Sequence, residues 1–237
     1  MNPINQKYES MKFDSRRKSY YKGLKAMQNL GYVFDDYIHH FPSFAGHMTI
    51  ARFLGLYELY KMSLGVAGHI AEAGIHKGFG TIGLAKIVKI FEPESLTLVH
   101  GFDWFLGMDS TNEEPNILKG SYKEDYKRLM KLINAQQLGN IIHIHKLDLK
   151  TELGTFFKTN SYLQFKLVII DAGQYDIVAS CLRNFWERIT PGGILVFDSF
   201  NHEISPGETR AIKELLPNSK IRTLPWLWTP TAFVVKE

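Results

Sequence analysis

Glu72 is the residue from which chemistry can first be read. It lies in His69-Ile70-Ala71-Glu72-Ala73-Gly74-Ile75-His76-Lys77-Gly78-Phe79-Gly80-Thr81, which has the form E-x-G-x-x-x-G-x-G. A short apolar run ends in a carboxylate, glycines follow, and a helical pattern opens at Thr81. That order spells a strand, a tight turn and a helix start, where a helix N-terminus presents free backbone N–H groups to a ligand. A phosphate-binding P-loop needs Gly-Lys-Ser/Thr after its last glycine, and the chain has Gly-Phe-Gly-Thr. A dinucleotide fingerprint opens its G-x-G-x-x-G at the turn after the strand, and there Gly74 and Gly78 are four apart. Glu72 would repel a phosphate. It suits a ligand that carries an ammonium group and ribose hydroxyls, as S-adenosylmethionine does. An ordinary β–α turn whose glycines serve only packing has the same pattern.

Four further carboxylates stand at the ends of predicted strands: Asp103, Asp148, Asp171 and Asp198. In open parallel sheets ligands bind outside the carboxyl ends of the strands. Five acids on one rim exceed what helix capping explains, although capping accounts for one or two of them.

The elements that must position these residues follow in regular alternation. The predicted strands are His69–Ala73, Leu96–Asp103, Asn140–Asp148, Phe165–Asp171 and Ile194–Asp198, the last preceded by a Pro191-Gly192-Gly193 turn. Predicted helices cover Thr81–Phe91, a stretch from Tyr122 to Ile133, Leu149–Phe157, Val178–Ile189 and Glu208–Leu216. Two last strands, Lys220–Leu224 and Ala232–Val235, suggest an antiparallel insertion at the sheet edge. Alternating β and α elements with continuous apolar strands indicate a parallel sheet covered on both faces. The fold class is therefore α/β: a Rossmann-like, doubly wound, mostly parallel seven-stranded sheet. Ahead of it, residues 1–65 read as a helical N-terminal extension, loose over residues 1–12. It is helical from Phe13 to about Leu30, irregular or in short helices from Tyr32 to Gly46, and helical from Met48 to Leu64. Its aromatic density, including Tyr20, Tyr21, Phe41 and Phe44, suits a lid or an oligomer contact. Residues 66–237 form the ligand-binding domain.

Composition sets the class. With 45% hydrophobic and 22% charged residues, the 237-residue chain can bury a sizeable core. No apolar run approaches the roughly 20 residues of a membrane span, and the N-terminus lacks the apolar centre of a signal peptide. Cys181 is the single cysteine, which excludes an intrachain disulfide and fits a core position. A cytoplasmic protein is expected. The net charge of +4 is mild, and Arg16-Arg17-Lys18 reads as a solvated helix face, so neither a nucleic acid nor a membrane is expected as a partner.

The motifs together resemble class I S-adenosylmethionine-dependent methyltransferases, in particular the macrocin O-methyltransferase family of sugar-tailoring enzymes. The similarity runs from about Met48 to the C-terminus. It rests on Met48-Thr49 with Arg52, on Glu72 to Gly78, and on Gly101-Phe102-Asp103-Trp104-Phe105-Leu106-Gly107. Asp171-Ala172-Gly173-Gln174-Tyr175-Asp176, and Pro191-Gly192-Gly193 through Asp198-Ser199-Phe200, complete it. The resemblance implies that Glu72, Ala73, Gly74, Gly78, Gly80 and Thr81 shape the seat for the methionine part of S-adenosylmethionine. It implies that Asp103, beside Trp104, binds the ribose, that Asp148 lies near the adenine, and that Asp171 borders the cofactor. It also implies that Asp171 and Asp198 ligate a magnesium ion that holds the hydroxyls of an acceptor sugar.

Two departures bear on that chemistry. Gly173 and Ser199 stand where the family has aspartates, so a candidate base and one metal ligand are missing. His202, four residues after Asp198, is a candidate replacement base. An exposed loop histidine is the alternative reading, and Asp176 and Tyr175 are further options. The resemblance implies O-methylation of a sugar-containing small molecule or glycan precursor by a homo-oligomeric enzyme. A metal-independent methyltransferase acting on a phenol or nitrogen, and a cofactor-binding partner protein without activity, are the alternatives.

Overall fold

The computed structural model of the protein describes residues 22–23, 25–111, 114, 117–203 and 205–237. The loose segment expected over residues 1–12, the Arg16–Lys18 face, Tyr20 and Tyr21 lie outside the described residues. Residues 25–28 are helical, within the helix expected up to Leu30.

Six strands form a single sheet: β1 His69–Ala73, β2 Val99–Asp103, β3 Ile142–Lys146, β4 Phe165–Ile170, β5 Ile189–Phe197 and β6 Ala232–Val235. Their spatial order is β3-β2-β1-β4-β5-β6. The first five run parallel, and β6 pairs antiparallel with β5. Strand order reverses between β1 and β4, where Glu72 pairs with Ile169 and Ala73 with Ile170. The crevice of a doubly wound sheet opens at such a switch point.

The helices are α1 Phe34–His39, α2 Phe41–Phe44, α3 His47–Ser63, α4 Phe79–Phe91, α5 Tyr126–Ala135, α6 Leu153–Thr159, α7 Tyr175–Phe185 and α8 Pro206–Leu215. They cover both faces. Val168 and Ile170 of β4 join Phe157, Cys181, Leu182, Phe185 and Ile212 in one core, under α6, α7 and α8. Leu167 and Ile169, which point the other way along the same strand, join Leu56, Leu59, Tyr60, Leu84, Val88 and Ile133 under α3, α4 and α5. Side chains alternate across a strand, so a strand buried on both faces reads as one apolar run. Cys181 is fully buried, and burial pushes its thiol well above the usual range. Among the described residues, no helix is long and apolar enough to cross a membrane.

The sheet departs from expectation at its C-terminal edge. Lys220–Leu224 is not a strand: only Arg222 pairs, exchanging two 2.8 Å bonds with Phe233. Pro225 ends the segment after two residues more, and proline has no N–H for a ladder. The sheet thus has six strands, not seven. Pro191-Gly192-Gly193 is also no turn. It lies within β5, where the pairing with β4 shifts register, so the irregular backbone is accommodated as a bulge. Tyr122 lies before α5, which Asp125 caps by accepting the N–H groups of Lys127 and Arg128.

In the N-terminal part, α1 and α2 bury no residue, while α3 buries Gly55, Leu56, Leu59, Tyr60 and Ser63. The expected helix is present, and it packs on α4, β4 and β5.

At the β3 edge of the sheet, where His100 of β2 pairs with His143 and Phe102 with His145, histidines cluster. His100 Nδ1 and His145 Nε2 are 2.9 Å apart, with stacked rings. Burial, followed by the neighbouring histidines, pulls His100 down to about 3 and His145 down to about 4. The unfolded chain takes up these protons below about pH 6.5, whereas the folded protein does not. This contribution to stability is therefore complete above that pH and is lost as pH falls toward 4. Buried carboxylates act in the opposite direction, so the test is differential. Between pH 7 and pH 5, the stability of wild type relative to His100→Phe/His145→Phe should fall by about 4 kcal/mol, about 2 for each histidine. Urea titrations at both pH values measure this, and a constant difference would refute it.

Candidate active site

The carboxyl ends of β1, β2, β4 and β5 open into a cleft of about 610 Å³, a volume suited to a small molecule with a cofactor. Glu72 is set into its floor by its place near the end of β1 and is 2% exposed. Its Oε2 accepts the backbone N–H of Thr81 at 2.6 Å and the Thr81 hydroxyl. Gly80 makes this possible, because a Cβ there would stand 2.0 Å from Glu72 Oε1. Burial pushes the Glu72 carboxyl up to about 8, with Thr81 working in the opposite direction and Asp171 adding to the rise. A cation set beside it would bring the carboxylate back.

The turn after β1 brings the chain against β4. Gly74 has φ +92°, and a Cβ there would lie 2.1 Å from the carbonyl oxygen of Asp171, so only glycine fits. Gly78, also left-handed, starts α4 at Phe79, two residues before the helix start expected from sequence.

Asp103, at the end of β2, ties two loops together. Its Oδ2 accepts the N–H groups of Ile75 at 2.9 Å and His76 at 3.1 Å, and its Oδ1 accepts that of Phe105 at 2.7 Å. Trp104 follows it in the cleft wall. Asp148 lines the cleft as well, but its oxygens accept the Lys150 N–H and the Thr151 hydroxyl, both at 2.8 Å. These are turn contacts ahead of α6, whose N-cap, Glu152, makes no side-chain capping bond, so Asp148 does not fill the helix-capping role allowed for one or two of the five acids.

Asp171 and Asp198 follow β4 and β5 and meet at one arginine. Arg52 Nη2 lies 2.7 Å from Asp171 Oδ2 and 3.5 Å from Asp198 Oδ1. The latter oxygen also accepts the Thr229 hydroxyl. Helix α3, packed on β4 and β5, delivers Arg52, with its guanidinium carbon 5.3 Å from the centre of the Phe79 ring. Burial works against its charge, yet Asp198 and Asp171 together hold its proton more tightly than usual. Asp171 is pushed up to about 7, first by burial and then by Asp198, with Arg52 opposing both. Among the described residues, no three His, Cys, Asp or Glu side chains converge on a possible metal position.

His202 lines the same cleft and is half-buried rather than exposed. Asp176 pairs with Lys150, and the Tyr175 hydroxyl donates to Glu214 while Arg210 covers its ring at 3.9 Å. Gly173 has φ +69°, and its carbonyl accepts the Ser205 hydroxyl. The backbone N–H of Ser199 donates to Glu208 at 2.6 Å. Glu208 is fully buried, and burial, followed by Asp198, raises it well above the carboxylate range.

Of the residues singled out from the sequence, Glu72, Gly74, Asp103, Trp104, Asp148, Asp171, Asp198 and His202 line the cleft, and Ala73, Gly78, Gly80 and Thr81 are not in its lining. Sequence reasoning missed the role of Arg52, which figured only in a helix motif, and it missed Thr229 and Glu208 altogether. A signal existed for Glu208: it shares the buried stripe of α8 with Gly207, Ala211 and Ile212.

The sheet order, the acid-lined switch point and the glycine turn make up the class I S-adenosylmethionine-dependent methyltransferase fold. Residues 71–200, more than half of the chain, match the family described as "Methyltransferase domain"; the chain belongs to that family and is a methyltransferase, with S-adenosylmethionine as the cofactor. No curated protein matches it by sequence. Among solved structures, it is similar to the calicheamicin methyltransferase CalS11 at 20% identity, over 93% of this chain and 92% of that one, with a TM-score of 0.83. Another CalS11 structure, described as an apo TDP-rhamnose 3'-O-methyltransferase, is also 20% identical, over 93% and 94% of the two chains, with a TM-score of 0.76. The O-methyltransferase NovP is 15% identical over 79% and 80%, with a TM-score of 0.68. At these identities the likeness is one of fold.

Proposed function

We propose that this protein methylates a hydroxyl of a sugar-containing small molecule or glycan precursor. The observation that carries this reading is the Asp171–Arg52–Asp198 cluster, set beside Glu72 in one cleft. It gives a seat for a polyhydroxylated acceptor next to a seat for the cofactor. The macrocin-type motifs, and the description of CalS11 as a TDP-rhamnose 3'-O-methyltransferase, support a sugar.

The residues fit S-adenosylmethionine on two counts. Glu72 is a buried carboxylate that a ligand cation would relieve, and Gly74 and Gly80 form a cradle that a Cβ would fill. Bound there, the cofactor supplies an electrophilic methyl group. In this reading Glu72, Ala73, Gly74, Gly78, Gly80 and Thr81 seat its amino-acid end. Asp103 and Trp104 hold the ribose, and Asp148 borders the adenine. Asp171 accepts the proton of the acceptor hydroxyl as its oxygen attacks, with Asp198 orienting the acceptor and His202 at the wall.

Residues 1–65 act as a lid or homo-oligomer contact in this reading, and the protein works in the cytoplasm. A phenolic acceptor is the second reading, favoured by Trp104, Tyr122 and Trp228 in the cleft lining. Incubation with S-adenosylmethionine and panels of nucleotide sugars, glycosides and phenols tests both. A methylated nucleotide sugar or glycoside supports the first reading, and methylation confined to phenols replaces it.

A smaller substitution probes the cofactor seat. Gly80→Ala suits a helix, but its Cβ must displace Glu72. Cofactor affinity should fall about tenfold. An unchanged calorimetric Kd would remove Glu72 from the seat.

A further inference from the structure

We infer that Arg52 is the resident cation of the acceptor subsite, a positioning residue that takes the place of a divalent metal between Asp171 and Asp198. This rests on the methyltransfer reading above and deepens it. Two carboxylates brought together at adjacent strand ends repel unless a positive charge lies between them. A single nitrogen of Arg52 meets that need, at 2.7 Å from Asp171 and 3.5 Å from Asp198.

The residues do not fit a magnesium ion. Magnesium requires near-octahedral oxygen ligands at about 2.0–2.1 Å. Of the oxygens that would face it, Asp171 Oδ2 already accepts from Arg52, and Asp198 Oδ1 accepts from Thr229 with Arg52 in ion-pair range at 3.5 Å. Ser199 stands where the resemblance implies a further carboxylate ligand, and its backbone N–H is held to Glu208. Meanwhile the arginine is fixed. Helix α3 is anchored through Leu56, Leu59 and Tyr60, and the guanidinium rests on Phe79. Its Nε is buried and makes no hydrogen bond to protein. Arginine keeps its charge at any working pH, and here one of its nitrogens serves both carboxylates.

Loss of the arginine should convert the subsite into a metal site. Manganese stands in for magnesium and is read by electron paramagnetic resonance on the ligand-free protein. Wild type should bind no Mn²⁺ below about 1 mM, as two carboxylates already paired to a cation offer little. Arg52→Met should bind it at least tenfold more tightly, and Arg52→Met/Asp198→Asn should lose that gain, which locates the ion. Arg52→Lys should stay near wild type in metal binding. Circular dichroism confirms that each variant is folded. Turnover of wild type should be unchanged by EDTA once an acceptor is found. Micromolar Mn²⁺ binding by wild type, EDTA-sensitive turnover, or a folded Arg52→Met with no gain would each overturn the inference. If no acceptor is ever methylated while the manganese results hold, it is the functional reading that fails.

Discussion

Asp171→Asn should lower kcat about 10²- to 10³-fold, with the Kd for S-adenosylmethionine within about twofold of wild type. The substitution keeps the shape of the side chain and removes its charge and its ability to take a proton. Asp171 is the nearer of the two partners of Arg52, so the variant also loosens the arginine from the cleft wall. The pH profile separates these effects. Burial, then Asp198, holds the Asp171 carboxyl up to about 7. Its basic form is absent well below that pH and complete above it. Wild-type kcat should therefore rise through a limb near pH 7 and level off, and the limb should be missing in Asp171→Asn. Steady-state rates of S-adenosylhomocysteine formation from pH 5.5 to 9 make the measurement. A loss under tenfold, or the same limb in both proteins, would show that another group accepts the proton, and His202 would then be the first to test.

Asp103→Ala should weaken S-adenosylmethionine binding about 100-fold and destabilise the protein by about 3 kcal/mol. The reason is structural as much as chemical. Three backbone N–H groups, from Ile75, His76 and Phe105, converge on this one carboxylate. An alanine leaves all three without their acceptor and frees the two loops that flank the cofactor seat. Hydrogen bonds to a charged group contribute more than neutral ones. Asp103→Asn retains one acceptor oxygen and should give an intermediate value. Calorimetry with the cofactor and thermal unfolding report the two effects independently. A large drop in stability with unchanged affinity would mean that the carboxylate serves the loops and not the ligand.

Much of this architecture was legible in the chain. The apolar runs at Ile70, Val99 and Leu167–Ile170 announce strands because a strand covered on both faces must be apolar at every position. Helix-period patterns between them marked the alternation of β and α elements, and the acids closing those runs marked the ligand rim before any coordinates. The glycine turn could be placed because the backbone at Gly74 has to pass the carbonyl of Asp171 at a distance no side chain permits.

The edge was not legible. Lys220–Leu224 has a strand's composition, but a strand exists only where a partner pairs along it, and Arg222 alone finds one. Nor could the sequence announce the bulge at Pro191–Gly193, since a proline-glycine-glycine step spells a turn when read locally.

The deeper omission was Arg52. In the chain it is 119 residues from Asp171 and 146 from Asp198 (198 − 52), on a helix whose spacing speaks only of packing. Periodicity reports which face of α3 is buried. It says nothing of what stands opposite that face once strand order has reversed between β1 and β4. Residue types and local pattern determined that this chain makes a doubly wound sheet with acids along its rim. Tertiary structure decided which of those acids share a cation, because pairing across the switch point depends on where distant elements come to rest.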